Sequence, residues 1–183
     1  KVCNTGFSLI GDACVPDGYV LVTSLGAQGD FLNSWSINGN AYTAEAEFPG
    51  QTCDKSEVFG AGSAGVGQPI TAQISAENGH YRCAVQADVW LLDNWEGFNN
   101  PDSLKVYIDS DGEGNFNASN PLFEAATSSQ FTGNVTNSCA ESDIDFKYTF
   151  LSEIFDHTED VVHFRMVPEL DEALPYESYG VAN

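Results

Sequence analysis

Residues 109 to 115, Asp109-Ser110-Asp111-Gly112-Glu113-Gly114-Asn115, set side-chain oxygens at the first, third and fifth positions of a loop, with glycine at the sixth. Calcium takes about six to eight oxygen ligands in flexible geometry, and a loop of this spelling supplies several by curling round the ion. The twelfth position is Asn120, where a helix-flanked calcium loop has a bidentate Glu. The same residues also suit a hairpin turn, in which Asp-Gly and Glu-Gly reverse the chain. Asp109, Asp111 and Glu113 are therefore candidate calcium ligands, weighed against a solvated turn. Glu141, Asp143 and Asp145 are the second chemical possibility, because residues at i, i+2 and i+4 share one face of a strand. Paired carboxylates on a strand of a jelly roll serve glycoside hydrolysis. Here Phe146 and Lys147 follow, so the second Glu of E-x-D-x-x-E is missing. The solvent face of an alternating strand fits better, and a glycoside hydrolase is the most distant reading. His80, His157 and His163 lack H-E-x-x-H spacing, and no G-x-S-x-G or P-loop occurs.

The elements around these groups read as strands. In "AYTAEAEF", Tyr42, Ala44, Ala46 and Phe48 point one way and Thr43, Glu45 and Glu47 the other. In "DIDFKYTF", Ile144, Phe146, Tyr148 and Phe150 form one face, and in "SLKVYID" Leu104, Val106 and Ile108 do the same. "VVHFRMV" alternates less cleanly, and "AVQADVWLL" is apolar on nearly both sides, which suits a central strand. Period two between turn residues marks half-buried antiparallel strands. The pattern predicts strands near 19–24, 41–48, 70–76, 82–92, 103–109, 121–125, 143–150 and 160–167. It predicts one short helical turn over 151–158 and a long Gly-rich loop over 49–69. Many short strands in one chain predict an all-β protein, an antiparallel β-sandwich or jelly roll.

Composition limits the partners. Six Lys and Arg stand against 27 Asp and Glu in 183 residues, for a net charge of −21. Such a surface repels phosphate backbones and anionic lipid, and it attracts divalent cations. Nucleic acid is excluded as a partner. Membrane insertion is excluded too, since no apolar run approaches the roughly 20 residues a span requires. The length suits one ordinary domain with a small appendage.

Cys3, Cys14, Cys53, Cys83 and Cys139 contain no C-x-x-C pair, which argues against structural zinc. Asn117-Ala118-Ser119 and Asn134-Val135-Thr136 fit the N-glycosylation sequon, and both fall in polar, turn-rich stretches. Residues 3 to 14, C-x-x-G-F-x-x-x-G-x-x-C, resemble the tail of an EGF-like module. That resemblance implies a Cys3–Cys14 disulfide and an oxidising, extracellular compartment. It divides the chain into an EGF-like tail over 1–16 and a sandwich over 17–183. One of the other three cysteines is left over, and spacing does not choose among Cys53, Cys83 and Cys139.

A second resemblance runs over roughly 82–183. "ADVWLLDNWEGFNNPDSLKVYID" and the closing "LDEALPYESYGVAN" are similar to a pattern in secreted β-sandwich ectodomains of protists, oomycetes and some bacteria. There a strand ends in D-S-W-D, a later strand ends in V-Y-I-D-G, and the domain closes in L-D-x-x-x-x-D-E-S-W-G-I-x-N. Asn94 and Glu96 replace the Ser and second Asp of the first motif, and Tyr176 replaces the first Asp of the D-E-S-W-G run. Tubular flagellar-hair proteins of algae are a looser analogy. The resemblance implies that Asp93, Glu96 and Glu177, at strand ends, converge on one ion at the sandwich rim. The alternative is a solvated rim with Trp95 and Tyr179 packed over the sheet edge.

These readings favour a non-enzymatic structural or adhesive module outside the cell or at its surface. It would act as a subunit of a glycoprotein assembly or filament, joined to copies of itself or to other extracellular glycoproteins. The alternative is a calcium-assisted carbohydrate-binding domain, with Trp35, Trp90 or Trp95 stacking on sugar rings unless they are core or edge residues.

Overall fold

A computed structural model of the chain describes residues 5, 7–10, 13–16, 31, 34–43, 45, 47–53, 56–76, 82–93, 102–109, 116, 123–125, 134–136, 139, 144–152, 154–171, 174 and 177–182. Within them, two six-stranded antiparallel sheets share one apolar core, the arrangement of a β-sandwich. The predicted all-β class holds.

The first sheet contains β3 (Trp35–Ile37), β4 (Asn40–Ala41), β7 (Ile70–Ser75), β10 (Ser103–Asp109), β11 (Phe123–Ala125) and β15 (Val161–Glu169), in the order β11-β10-β15-β7-β3-β4. The second contains β5 (Gly50–Cys53), β6 (Ser56–Phe59), β9 (Gln86–Asp93), β12 (Asn134–Thr136), β13 (Ile144–Leu151) and β16 (Glu177–Ala182), in the order β12-β13-β9-β16-β6-β5. Two short pairs stand apart: β1 (Phe7–Ile10) with β2 (Ala13–Pro16), and β8 (Arg82–Cys83) with β14 (Phe155–Asp156).

Alternation decides which side chains meet. Leu104 and Val106 of β10, Phe164 and Met166 of β15, and Ile70 and Ala72 of β7 point inward from the first sheet. Val89 and Leu91 of β9, Tyr179 and Val181 of β16, and Phe59 of β6 meet them from the second. β15 alternates fully, with Val162, Phe164, Met166 and Pro168 buried; Val161 and Val167 blur the pattern in sequence because they are apolar on the outward side. β9 is central, between β13 and β16, as its two apolar sides predict. Its outward Trp90 and Leu92 join Val58, Ala61, Ala182 and a Cys53–Cys139 disulfide in a second apolar cluster on the outside of that sheet. This settles the open cysteine pairing and leaves Cys83 as the free thiol among the described residues.

Several expectations are corrected. The alternation over 41–48 makes no strand beyond Ala41 among the described residues. Tyr42 and Phe48 bury their rings against each other and Phe59, at 5.6 and 6.1–6.3 Å, and Tyr42 N–H still donates to Trp35 O of β3 at 3.0 Å. A tight hairpin precedes them: Asn38 and Gly39, at φ 50° and 78°, link β3 to β4. Two successive positive φ values suit an Asn-Gly turn of the hairpin type. The helical turn over 151–158 is replaced by the end of β13 and by β14, which pairs with β8. The Gly-rich 49–69 stretch holds the β5–β6 hairpin and a turn pinned to β16, with Gly62 N–H donating to Ser178 Oγ at 3.2 Å. A strand near 19–24 lies outside the described residues.

Candidate metal centre at the sandwich rim

β9 ends in the apolar run Val89 to Leu92 followed by Asp93, and β16 enters beside it with Glu177 opposite Asp93. In the other sheet, β10 and β15 begin and end together, with Ser103 opposite Glu169. Asp102 immediately precedes β10, and Asp171 follows β15 by two residues. Both sheets therefore bring acids to the same rim. A carboxylate oxygen from each of Asp102, Asp171 and Glu177 lies within 4.8 Å of the others. Glu177 is 0% and Asp102 2% exposed, while Asp171 faces solvent.

Oxygens bound to one calcium at 2.3–2.6 Å are at most about 5 Å apart, so this spacing suits a shared ion. Three carboxylates this close repel one another unless a cation or protons lie between them. The donor set is all oxygen, which suits a hard cation. The neighbouring Glu169 is engaged elsewhere. Its carboxylate takes Lys105 Nζ at 2.7 Å and Ser103 Oγ at 2.8 Å. The lysine hydrogen bond, then the serine, hold its pKa below the usual carboxylate value. Buried Asp88 is likewise engaged: Lys147 Nζ lies 2.7 Å away and Thr149 Oγ1 donates at 2.6 Å.

The predicted ligands are thus divided. Glu177 belongs to the cluster. Asp93 is beside it in the ladder, with its side chain outside the described set, and Glu96 lies outside the described residues. Asp109 closes β10 at the opposite rim, opposite His163, so it cannot share an ion with Glu177. Asp111 and Glu113 lie outside the described residues. Phe116, just beyond their loop, packs back on Tyr107 of β10 at 6.4 Å and under Arg165 at 5.6 Å.

Asp102 and Asp171 were missed. Asp102 directly precedes the alternating 103–109 segment, so it sits at a sheet end, but nothing in its local sequence marks it as a ligand. Asp171 stands in the "LDEALPYESYG" segment six residues before Glu177, a separation that does not by itself bring the two acids together.

Other expected sites move. Trp35 is a core residue, 3% exposed, with ring contacts to Phe31, Phe59 and Phe164 at 5.5–5.8 Å, so it cannot stack on a sugar. Trp90 is also buried, with Lys147 Nζ 5.2 Å from its ring centroid. Trp95 lies outside the described residues. Tyr179 does not cover a sheet edge: it is fully buried in a central strand. Its hydroxyl donates to Gln68 O at 2.6 Å and accepts Ile70 N–H at 3.0 Å, and burial keeps the phenol neutral. Asn134 opens the edge strand β12 rather than lying in a loop, and Asn117 lies outside the described residues. Cys14 is opposite Leu9 in the β1–β2 ladder, while Cys3 lies outside the described residues.

Compared with known proteins, the chain matches no family model, and no curated protein or solved structure is significantly similar to it.

Proposed function

We propose that this chain is a non-enzymatic structural or adhesive module of an extracellular or cell-surface glycoprotein assembly, with its two sheets tied at one rim by calcium. The observation that carries this reading is the meeting of Asp102, Asp171 and Glu177, which come from both sheets and three separated segments. An ion there links the start of β10, the exit of β15 and the start of β16. It also offsets repulsion in a chain of net charge −21. The Cys53–Cys139 disulfide supports an oxidising compartment. The similarity of residues 82–183 to secreted sandwich ectodomains of jelly-roll kind, and of residues 3–14 to an EGF-like tail, supports the same placement. Within this reading Cys3 bonds Cys14, and Asn117 or Asn134 carries glycan.

Calcium should then stabilise the native state by mass action. Extracellular calcium modules bind with dissociation constants of about 10⁻⁴–10⁻³ M. At about 2 mM calcium and the tighter value, the gain is about 1.8 kcal/mol. For a domain of this size that raises the melting temperature by roughly 4–7 °C. Thermal melting in calcium against chelator, for the wild type and Asp102→Asn, tests it. A response that persists in the variant, or is missing in the wild type, contradicts the metal-tied rim. Sedimentation with and without calcium, beside a glycan array, tests the class. Self-association or adhesion without sugar selectivity fits a structural module, and selective sugar binding refutes it.

A further inference from the structure

Cys83 and His157 form a second chemical group, remote in sequence from the rim acids. Cys83 ends β8 and lies opposite Phe155 of β14, while Arg82 lies opposite Asp156. Arg82 Nε meets Asp156 Oδ1 at 3.2 Å and ties the pair on its exposed side. His157 follows β14 directly and is 2% exposed, with its ring edge-on to Phe155 at 6.1 Å. Its Nε2 lies 3.1 Å from the carbonyl oxygen of Val161. A carbonyl only accepts, so Nε2 carries a proton, and in the singly protonated ring it is Nδ1 that presents the lone pair. Nδ1 faces Cys83 Sγ at 3.7 Å, within reach of an S–H donor. A nucleophile beside a base, with the base oriented by a third group, is the arrangement of an assisted thiol.

We propose that Cys83 and His157 form a thiol–disulfide exchange site, through which this chain becomes covalently joined to a disulfide-bearing partner. Burial pushes the Cys83 thiol up, so the resting pair is S–H to nitrogen rather than thiolate to imidazolium. A thiol of raised pKa is a stronger nucleophile once ionised, but little of it is ionised near neutrality. The base removes that obstacle at the moment of attack. Cys83 Sγ attacks one sulfur of the partner disulfide while its proton passes to His157 Nδ1. The partner's S–S bond breaks, and the departing thiolate takes the proton from His157 and leaves as a thiol. One disulfide is consumed, one is formed and one thiol is released, so no other oxidant is required. Among the described residues Cys53 and Cys139 hold each other, and Cys83 is a half-buried free thiol. The site does not depend on the rim reading.

The test uses the full chain with two small disulfides, dithiodipyridine and oxidised glutathione, followed by the released thiol and by peptide mass spectrometry. The expected result is an adduct on Cys83, formed at neutral pH at least about tenfold faster than on a free cysteine peptide, a modest share of what a positioned base provides. Cys83→Ser should abolish it. His157→Gln, shown folded by an unchanged melting temperature, should lose that tenfold. A wild-type rate at or below the free peptide's overturns the proposal, whatever the variants do, and so does an adduct confined to other cysteines.

Discussion

Removing the Cys53–Cys139 link should cost this sandwich a large share of its stability. The two residues are 86 apart in sequence, and both sulfurs sit in the apolar cluster around Trp90 outside the second sheet. Cross-linking a loop of that length removes about 15 cal/mol/K from the unfolded chain, about 4.6 kcal/mol at room temperature. Typical domains hold only about 5–15 kcal/mol in all. The Cys53→Ala/Cys139→Ala double variant should therefore melt roughly 9–18 °C lower. Urea unfolding is the better assay, because freeing the unfolded chain should also steepen the denaturant dependence as more surface becomes exposed. Each single variant should lose about as much as the double, since either one breaks the bond. The reasoning is refuted by a double variant within about 1 kcal/mol of the wild type, or by either single variant keeping full stability.

Three further outcomes follow from contacts in the core and at the rim. A Cβ at Gly180 would lie 2.6 Å from Val58 Cγ1 and 2.7 Å from Phe59 O, so Gly180→Ala must part β6 from β16. It should lose at least 1–3 kcal/mol, an approximate overpacking cost, in urea unfolding, and a neutral result would contradict the close approach. Tyr179→Phe should cost about 2 kcal/mol, because Ile70 N–H and Gln68 O lose a buried partner; a loss under about 0.5 kcal/mol would contradict that role. Glu169 has a lowered folded pKa, so its pairing with Lys105 stabilises above the unfolded carboxylate pKa. That contribution fades as pH falls through the lowered folded value. At 58% exposure Glu169 gains under about 1 kcal/mol, so Lys105→Met should soften the acid limb of the pH–stability curve only slightly, and a large effect would contradict screening.

Strands with an apolar side and a polar side were legible because period two fits little else. That is why β7, β10, β13 and β15 lie close to where the pattern placed them, while β9 was legible as a central strand from its two apolar sides. The misses have physical causes. Tyr42 to Phe48 alternates, yet after the Tyr42 N–H bond to Trp35 O its rings find partners in the core with no further strand among the described residues. β5 and β6 are short and bounded by glycines, so composition spoke for a loop while Val58 and Phe59 spoke too briefly for a strand. β16 lacks the alternation that marks a strand, because Glu177 and Ser178 look solvated in sequence and are buried. The rim cluster was half legible: Glu177 stood out. Asp102 and Asp171 become its neighbours only through the pairing of β10 with β15, a long-range register that no local pattern encodes.

Calcium binding by titration calorimetry tests the central claim most directly. The full chain is titrated at physiological ionic strength, so that diffuse attraction to its acidic surface is screened. The account predicts one saturable site per chain, lost in Glu177→Gln and weakened in Asp171→Asn. Binding that is unsaturable, vanishes with added salt, or stays unchanged in Glu177→Gln would contradict a calcium-tied rim.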